Sequence, residues 1–288
     1  MISIARHMDE YDIAQEVRLE RKVHRGAFLL LEGTTDIKRL SRFIDEGKCS
    51  TVNCYGRLKA TKAIELLYDE GFPGVLGLVD ADFDRIVGSP PEHEGLIYSA
   101  SHDFDMDWIT ESVIRKYLVE AGDVEKYELH GSTATIIDKI MLCLKPISVA
   151  RYLNYSNWIS YKLSDIDITK CLSGFVLDLD AYVDLIFLNR TASDAMKSAI
   201  KGQIMGGVRQ DYDLRQLTNG HDFFCALGIC LRTELGSRRE VHTWGSEVEM
   251  HIRLIYGDTE FRESQLYKDI CFWLSENSKY SIFHMRLS

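Results

Sequence analysis

The chain has 288 residues, enough for one large domain or two modest ones with an ample apolar core. Hydrophobic residues make up 45% and charged residues 27%, as in soluble globular proteins, and no apolar run approaches the ~20 residues of a membrane span. A formal charge of −10 argues against an open basic face that tracks duplex DNA, because phosphate neutralisation supplies most nonspecific affinity. The seven cysteines are scattered and never spaced CxxC, which disfavours a zinc ribbon or a disulfide framework. The first residues lack the apolar core of a signal peptide, so the expected location is cytoplasmic, without membrane association.

In chain order, Asp9 to Arg25 is charged, with Ile13, Val17 and Val23 on a loose apolar stripe. Residues 1–26 therefore read as an amphipathic helix or arm, expected to fold over a partner. Ala27–Leu31 is a short apolar run of the buried-strand type that ends at Glu32. Thr34 or Thr35 then caps a predicted helix with Ile37, Leu40, Phe43 and Ile44 at helical spacing, which puts Asp36 in its first turn. Thr51 to Tyr55 reads as a strand and Lys59 to Glu70 as a helix, stopped by Gly71 and Pro73. Val75–Val79 is an unbroken apolar run of the kind buried on both faces of a parallel sheet. This alternation predicts right-handed crossovers and a parallel sheet.

Val75–Val79 runs into Asp80-Ala81-Asp82-Phe83-Asp84. Ligands of open parallel sheets collect beyond the carboxyl ends of the strands. Residues two apart on an extended chain share a face, so Asp80 and Asp82 are expected to project together. Two like charges held that close need a cation or a proton between them, and hard oxygen ligands favour Mg2+ or Mn2+. Taken alone, the pattern also fits a polar turn after a strand. Glu32, at the end of its own apolar strand, brings a third carboxylate to the same predicted rim.

Further on, Ser89-Pro90-Pro91 marks a loop and Gly95–Ser99 a strand. That strand leads into His102-Asp103-Phe104-Asp105-Met106-Asp107 ahead of a predicted helix carrying Trp108, Val113, Tyr117 and Leu118. Asp103 or Asp107 suits a helix cap. From Val124 the texture changes to helical periodicity, through Ile136 to Leu144 and on to Leu266 to Leu274. His221-Asp222 reads either as a helix start or as a pair that orients a phosphate or a metal-bound water. Lys197, Lys201, Arg209, Arg232, Arg238 and Arg239 are the first places to look for phosphate contacts, although such charges usually form a solvated face. Tyr152, Tyr155, Trp158 and Tyr161 suit either base stacking or a helix core.

Glu32-Gly33-Thr34-Thr35-Asp36-Ile37 followed by Val79-Asp80-Ala81-Asp82 resembles the Toprim signature of a Glu after one strand and DxD after a later one. With Phe83-Asp84 and His102-Asp103-Phe104-Asp105 added, the pattern is similar to the DUF4435 branch, found as the nuclease half of two-component anti-phage systems such as PARIS, beside an ABC-type ATPase. The match covers roughly residues 27–120, with an echo at Gly220-His221-Asp222.

The resemblance implies an α/β Toprim fold at 27–123, a parallel sheet of about four strands flanked by helices, then a mainly α-helical region at 124–288. It implies Mg2+ or Mn2+ on Glu32, Asp80, Asp82 and Asp105, where Asp105 stands in place of the usual Glu. Glu32, Asp80 and Asp82 are the implied catalytic residues, supported by Asp36, Asp84, His102, Asp103, Asp105, His221 and Asp222. The expected function is a metal-dependent nuclease, the toxic effector of an abortive-infection system, held by a partner ATPase and cleaving RNA such as tRNA as a homodimer. The alternatives are a DNA endonuclease or nickase of the overcoming-lysogenization-defect type, and a non-catalytic Toprim scaffold bound to an ATPase. A phosphatase with Asp80 as nucleophile fits less well, since it leaves Glu32 without a role.

Overall fold

A computed structural model of the chain describes residues 7–188 and 191–287. The elements begin with α1 (Glu10–Glu20), β1 (Ala27–Leu31), α2 (Thr34–Leu40), β2 (Cys49–Asn53), α3 (Arg57–Asp69) and β3 (Val75–Val79). They continue with α4 (Asp84–Val87), β4 (Leu96–Tyr98), α5 (Phe104–Trp108), α6 (Glu111–Ala121), α7 (Val124–Glu128) and α8 (Thr133–Tyr155). After β5 (Leu172–Ser173) and β6 (Val176–Leu177) come α9 (Leu179–Ile186), α10 (Asp194–Val208), α11 (Leu214–Leu217) and α12 (Gly220–Cys230). The last are α13 (Gly245–Ile255), α14 (Asp258–Glu263) and α15 (Gln265–Glu276).

The chain forms two compact units. One comprises Met1–Ala81, Pro90–Ala100 and Gly257–Ser288, the other Asp82–Ser89 and Ser101–Tyr256. They are interleaved along the chain, where the resemblance implies consecutive blocks at 27–123 and 124–288. The reason lies in the return of the C-terminal segment to the sheet unit. Phe261 stacks on Phe43 with ring centroids 4.1 Å apart, and Phe283 bridges to Ile44. Gly74, at φ +72°, leaves room for the Tyr280 ring, which a Cβ at that position would meet at 2.2 Å.

The sheet of the first unit is four-stranded and all parallel, in the order β2-β1-β3-β4. All five residues of β1 and all five of β3 are buried, as expected for strands covered on both faces. One core joins Phe28 and Leu30 of β1 and Val75 and Val79 of β3 to Ala60, Ala63, Ile64 and Leu67 of α3. Gly77 permits the close approach of α3, since a Cβ there would lie 2.8 Å from Ile64 Cγ1. Ile13, Ala14 and Val17 of α1 complete this core with no exposed surface, and Asp9 and Asp12 close a capping box at its start. The expected arm over a partner is therefore corrected: the apolar stripe of α1 is used by its own sheet, and Val23, 84% exposed, lies past the helix. Residues 1–6 of that predicted arm are outside the described residues.

The helix predicted through Ile44 ends at Leu40, where the chain turns to deliver Phe43 and Ile44 to the C-terminal segment. In the second unit the helix predicted to carry both Trp108 and Val113 is two, because Asp103 caps α5 and Thr110 caps α6. Its core is helical: α12 buries Phe223, Phe224 and Leu227 and packs against α13, α8 and α5. Among the described residues no helix is long and apolar enough to cross a membrane.

Candidate functional site

In the first unit β1 and β3 are parallel neighbours in the register Leu31 opposite Leu78, so Glu32 and Asp80 follow at the same edge of the sheet. Glu32 Oε1 accepts the Asp80 N–H at 2.7 Å, a charge-assisted bond that fixes the carboxylate at the strand end. Both residues are half-buried. The next peptide is held as well. Ser99 Oγ, buried after β4, accepts the Ala81 N–H at 2.9 Å, and Arg57 Nη1 donates to the Ala81 carbonyl at 3.3 Å. Arg57 opens α3 and lies over the Tyr98 ring, 5.6 Å from its centroid. Gly56, before it, adopts φ +125° and donates its N–H to the Glu32 carbonyl at 2.8 Å. Asp36 accepts the Gly33 N–H at 3.1 Å and pairs with the buried Arg39 at 2.6 Å, which ties the turn after Glu32 to the first turn of α2.

In the second unit Asp82 has φ +48°, in the left-handed region, which an aspartate tolerates better than most side chains. Its N–H donates to the His102 carbonyl at 2.7 Å, while His102 N–H donates to Arg215 O at 3.0 Å. The His102 ring packs edge-on to Phe83 at 4.6 Å, and Nδ1 lies 3.1 Å from Gln216 O. A carbonyl only accepts, so Nδ1 carries the proton. Burial pushes the imidazole below its ordinary value, outweighing the upward pull of the Asp82 and Asp222 charges.

The remaining predicted acids of this unit have structural partners. Asp103 accepts from the Met106 N–H at 2.7 Å and from the Gly220 N–H at 2.9 Å, and so serves the starts of both α5 and α12. Gly220 is required by that approach: a Cβ would sit 2.3 Å from Asp105 Cβ. Asp105 is half-buried in the first turn of α5, and Asp107 accepts the Ser101 N–H at 2.6 Å. Asp84, buried, accepts the Tyr155 hydroxyl at 3.0 Å. Asp222, 2% exposed, forms a bidentate pair with Arg151 at 2.7 and 2.8 Å, whereas His221 is exposed at the start of α12.

Within their units the structure thus joins Glu32 to Asp80, His102 to Asp82, and the 220–222 segment to Asp103. Among the described residues no three His, Cys, Asp or Glu side chains converge as a preformed ligand set. Several of the basic residues singled out for phosphate contact are engaged internally: Lys197 with Asp184, Lys201 with Asp180, and Arg232 with Glu240. Tyr152 and Tyr155 pack on Phe83 at 5.6 and 5.3 Å, and Trp158 is 72% exposed. Sequence reasoning passed over Arg57 and Ser99, the two side chains that brace Ala81. Ser99 ends a predicted strand and Arg57 follows one, so strand ends were their signal. No protein-family model matches the chain, and no curated protein matches it.

Proposed function

We propose that the chain is a metal-dependent phosphodiesterase with a Toprim core, acting on nucleic acid as the toxic effector of an anti-phage system. The observation that carries this reading is the pair of parallel strands ending in Glu32 and Asp80, locked by the bond from the Asp80 amide to the Glu32 carboxylate. The donor set fits magnesium or manganese, since both groups offer hard carboxylate oxygens. A preformed cage is not required, because Mg2+ is commonly held by one or two carboxylates with water and substrate phosphate.

Bound there, the metal would polarise a phosphoryl oxygen and lower the pKa of an attacking water. Asp80 would serve as a ligand, and Glu32 as a ligand or as the group that moves a proton at the reacting water. Arg57 fixes the Ala81 carbonyl and with it the backbone that carries Asp80. Asp82 and Asp105 enter the ligand set through the resemblance alone.

RNA, with tRNA foremost, is the favoured substrate. A chain of charge −10 is poorly suited to the many phosphate contacts of a duplex, whereas exposed loop nucleotides need fewer. An ABC-type ATPase is the proposed restraint, and a homodimer the proposed assembly; a strict monomer by light scattering at high micromolar concentration would remove the latter. The substrate is tested by expressing the activated protein in cells and examining both nucleic acids. Cleaved tRNA with intact chromosomal DNA is the expected result. Intact tRNA beside nicked DNA would overturn the RNA assignment in favour of the DNA nuclease.

A further inference from the structure

The second unit contains a cavity of about 410 Å3, lined by α6, α13 and the 3-10 turn Glu240–His242. That size is typical of small-molecule sites and too small for a polynucleotide. None of its lining residues takes part in the proposed phosphodiesterase, so a ligand bound there is independent of that reading.

Its polar groups face the cavity and solvent, with Arg238 and His242 exposed. Tyr117 is 3% exposed as a whole, and its hydroxyl, which bonds no described residue, reaches accessible surface at the cavity. Burial pushes that phenol up to about 12, so the hydroxyl stays a donor at neutral pH. The His251 ring lies 5.9 Å from the Tyr117 ring, tilted by 40°. Neither His251 nor His242 has a hydrogen-bond partner for its ring among the described residues. Arg238 closes the end of α6, with Nε on the Ala121 carbonyl at 2.8 Å and Nη2 on the Glu120 carbonyl at 2.5 Å. These bonds fix the guanidinium while Nη1 stays unengaged among the described residues. Glu120 is the one carboxylate of the lining, the Glu247 charge also reaches Tyr117 from α13, and Leu254, 70% exposed, forms an apolar lip.

Four donor side chains converging on one cavity with apolar walls call for an organic anion. We propose that this cavity binds a nucleoside monophosphate, with the phosphate on Arg238 and the two histidines and the base against Tyr117 and Leu254.

The test is calorimetric titration of the full chain, in EDTA, with AMP, GMP, CMP and UMP one at a time, then with the matching nucleoside and with inorganic phosphate. Saturable binding of at least one monophosphate is expected, with nucleoside and phosphate each weaker by about tenfold or more, the loss expected when one charged hydrogen-bonded part of a ligand is removed. Tyr117→Phe should weaken the monophosphate severalfold without lowering the melting temperature, because the hydroxyl has no protein partner to lose. Should that variant fold poorly, Leu254→Trp, at an exposed position, carries the test by filling the lip and abolishing binding. Asp80→Asn should bind as the wild type does, which separates this cavity from the proposed metal site. No saturable binding of any monophosphate, equal affinity for the nucleoside, or wild-type affinity in Leu254→Trp would each overturn the proposal.

Discussion

Asp82 is the residue at which backbone geometry and proposed chemistry meet. Its φ of +48° places an L side chain where glycine is at ease and a β-branched residue is not. Asp82→Val should therefore be less stable than Asp82→Gly by about 1–2 kcal/mol in urea unfolding. Equal stability of the two variants would mean that the turn relaxes at no cost. His102 sets a pH dependence on the same turn. Its folded value is depressed by burial, so between that value and the ordinary one of about 6.5 the unfolded state holds more protons. Stability of the metal-free protein is then fully present above about pH 6.5 and falls as the pH drops through the folded value. His102→Asn, which keeps a donor for Gln216, should flatten the difference in urea midpoint between about pH 5 and about pH 7.5. An unchanged pH slope in that variant would assign the effect to other groups. Asp82 was legible as an acid after a strand, but its left-handed backbone was not, because an aspartate there carries no glycine to signal it.

Among the elements, β1 and β3 were the most legible, since an apolar run of five that stops at a carboxylate has few other uses. The α2 and α5/α6 boundaries were not. Periodicity continues through Phe43 and Ile44 because both are buried, yet they are buried by the C-terminal segment rather than by a continuing helix. The break before α6 rests on Thr110 accepting the Val113 N–H at 3.2 Å, a cap that the apolar spacing of Trp108 and Val113 conceals. The α1 helix makes the clearest prediction at this scale. Val17 has no exposed surface within the sheet core, so Val17→Asp buries a charge with no partner in the cluster and should lower stability by about 3 kcal/mol or more. A thermal shift near zero would show that α1 is a detachable arm, as its charged composition first suggests.

For the whole molecule, the interleaved units explain why the texture change at Val124 was a poor guide: α14 and α15 look like any other amphipathic helices, and only long-range pairs such as Phe43 with Phe261 reveal where they pack. The candidate site was legible in its acids and opaque in its supports. Glu32 and Asp80 are marked by the strands that carry them, whereas the ties of Asp103 to Gly220 and of Asp222 to Arg151 connect positions far apart in the chain. The central claim is that Glu32 and Asp80 carry a metal-dependent phosphodiesterase, and Asp80→Asn and Glu32→Gln change charge with little change of shape. The most direct measurement incubates the purified wild type and both variants, with and without a candidate ABC-type ATPase partner, with total RNA and plasmid DNA in magnesium. The wild type is expected to cleave RNA only when magnesium is present, and both variants to be inactive, with Asp80→Asn, which keeps the amide bond to Glu32, melting at or above the wild-type temperature. Wild-type cleavage by Asp80→Asn would contradict the assignment.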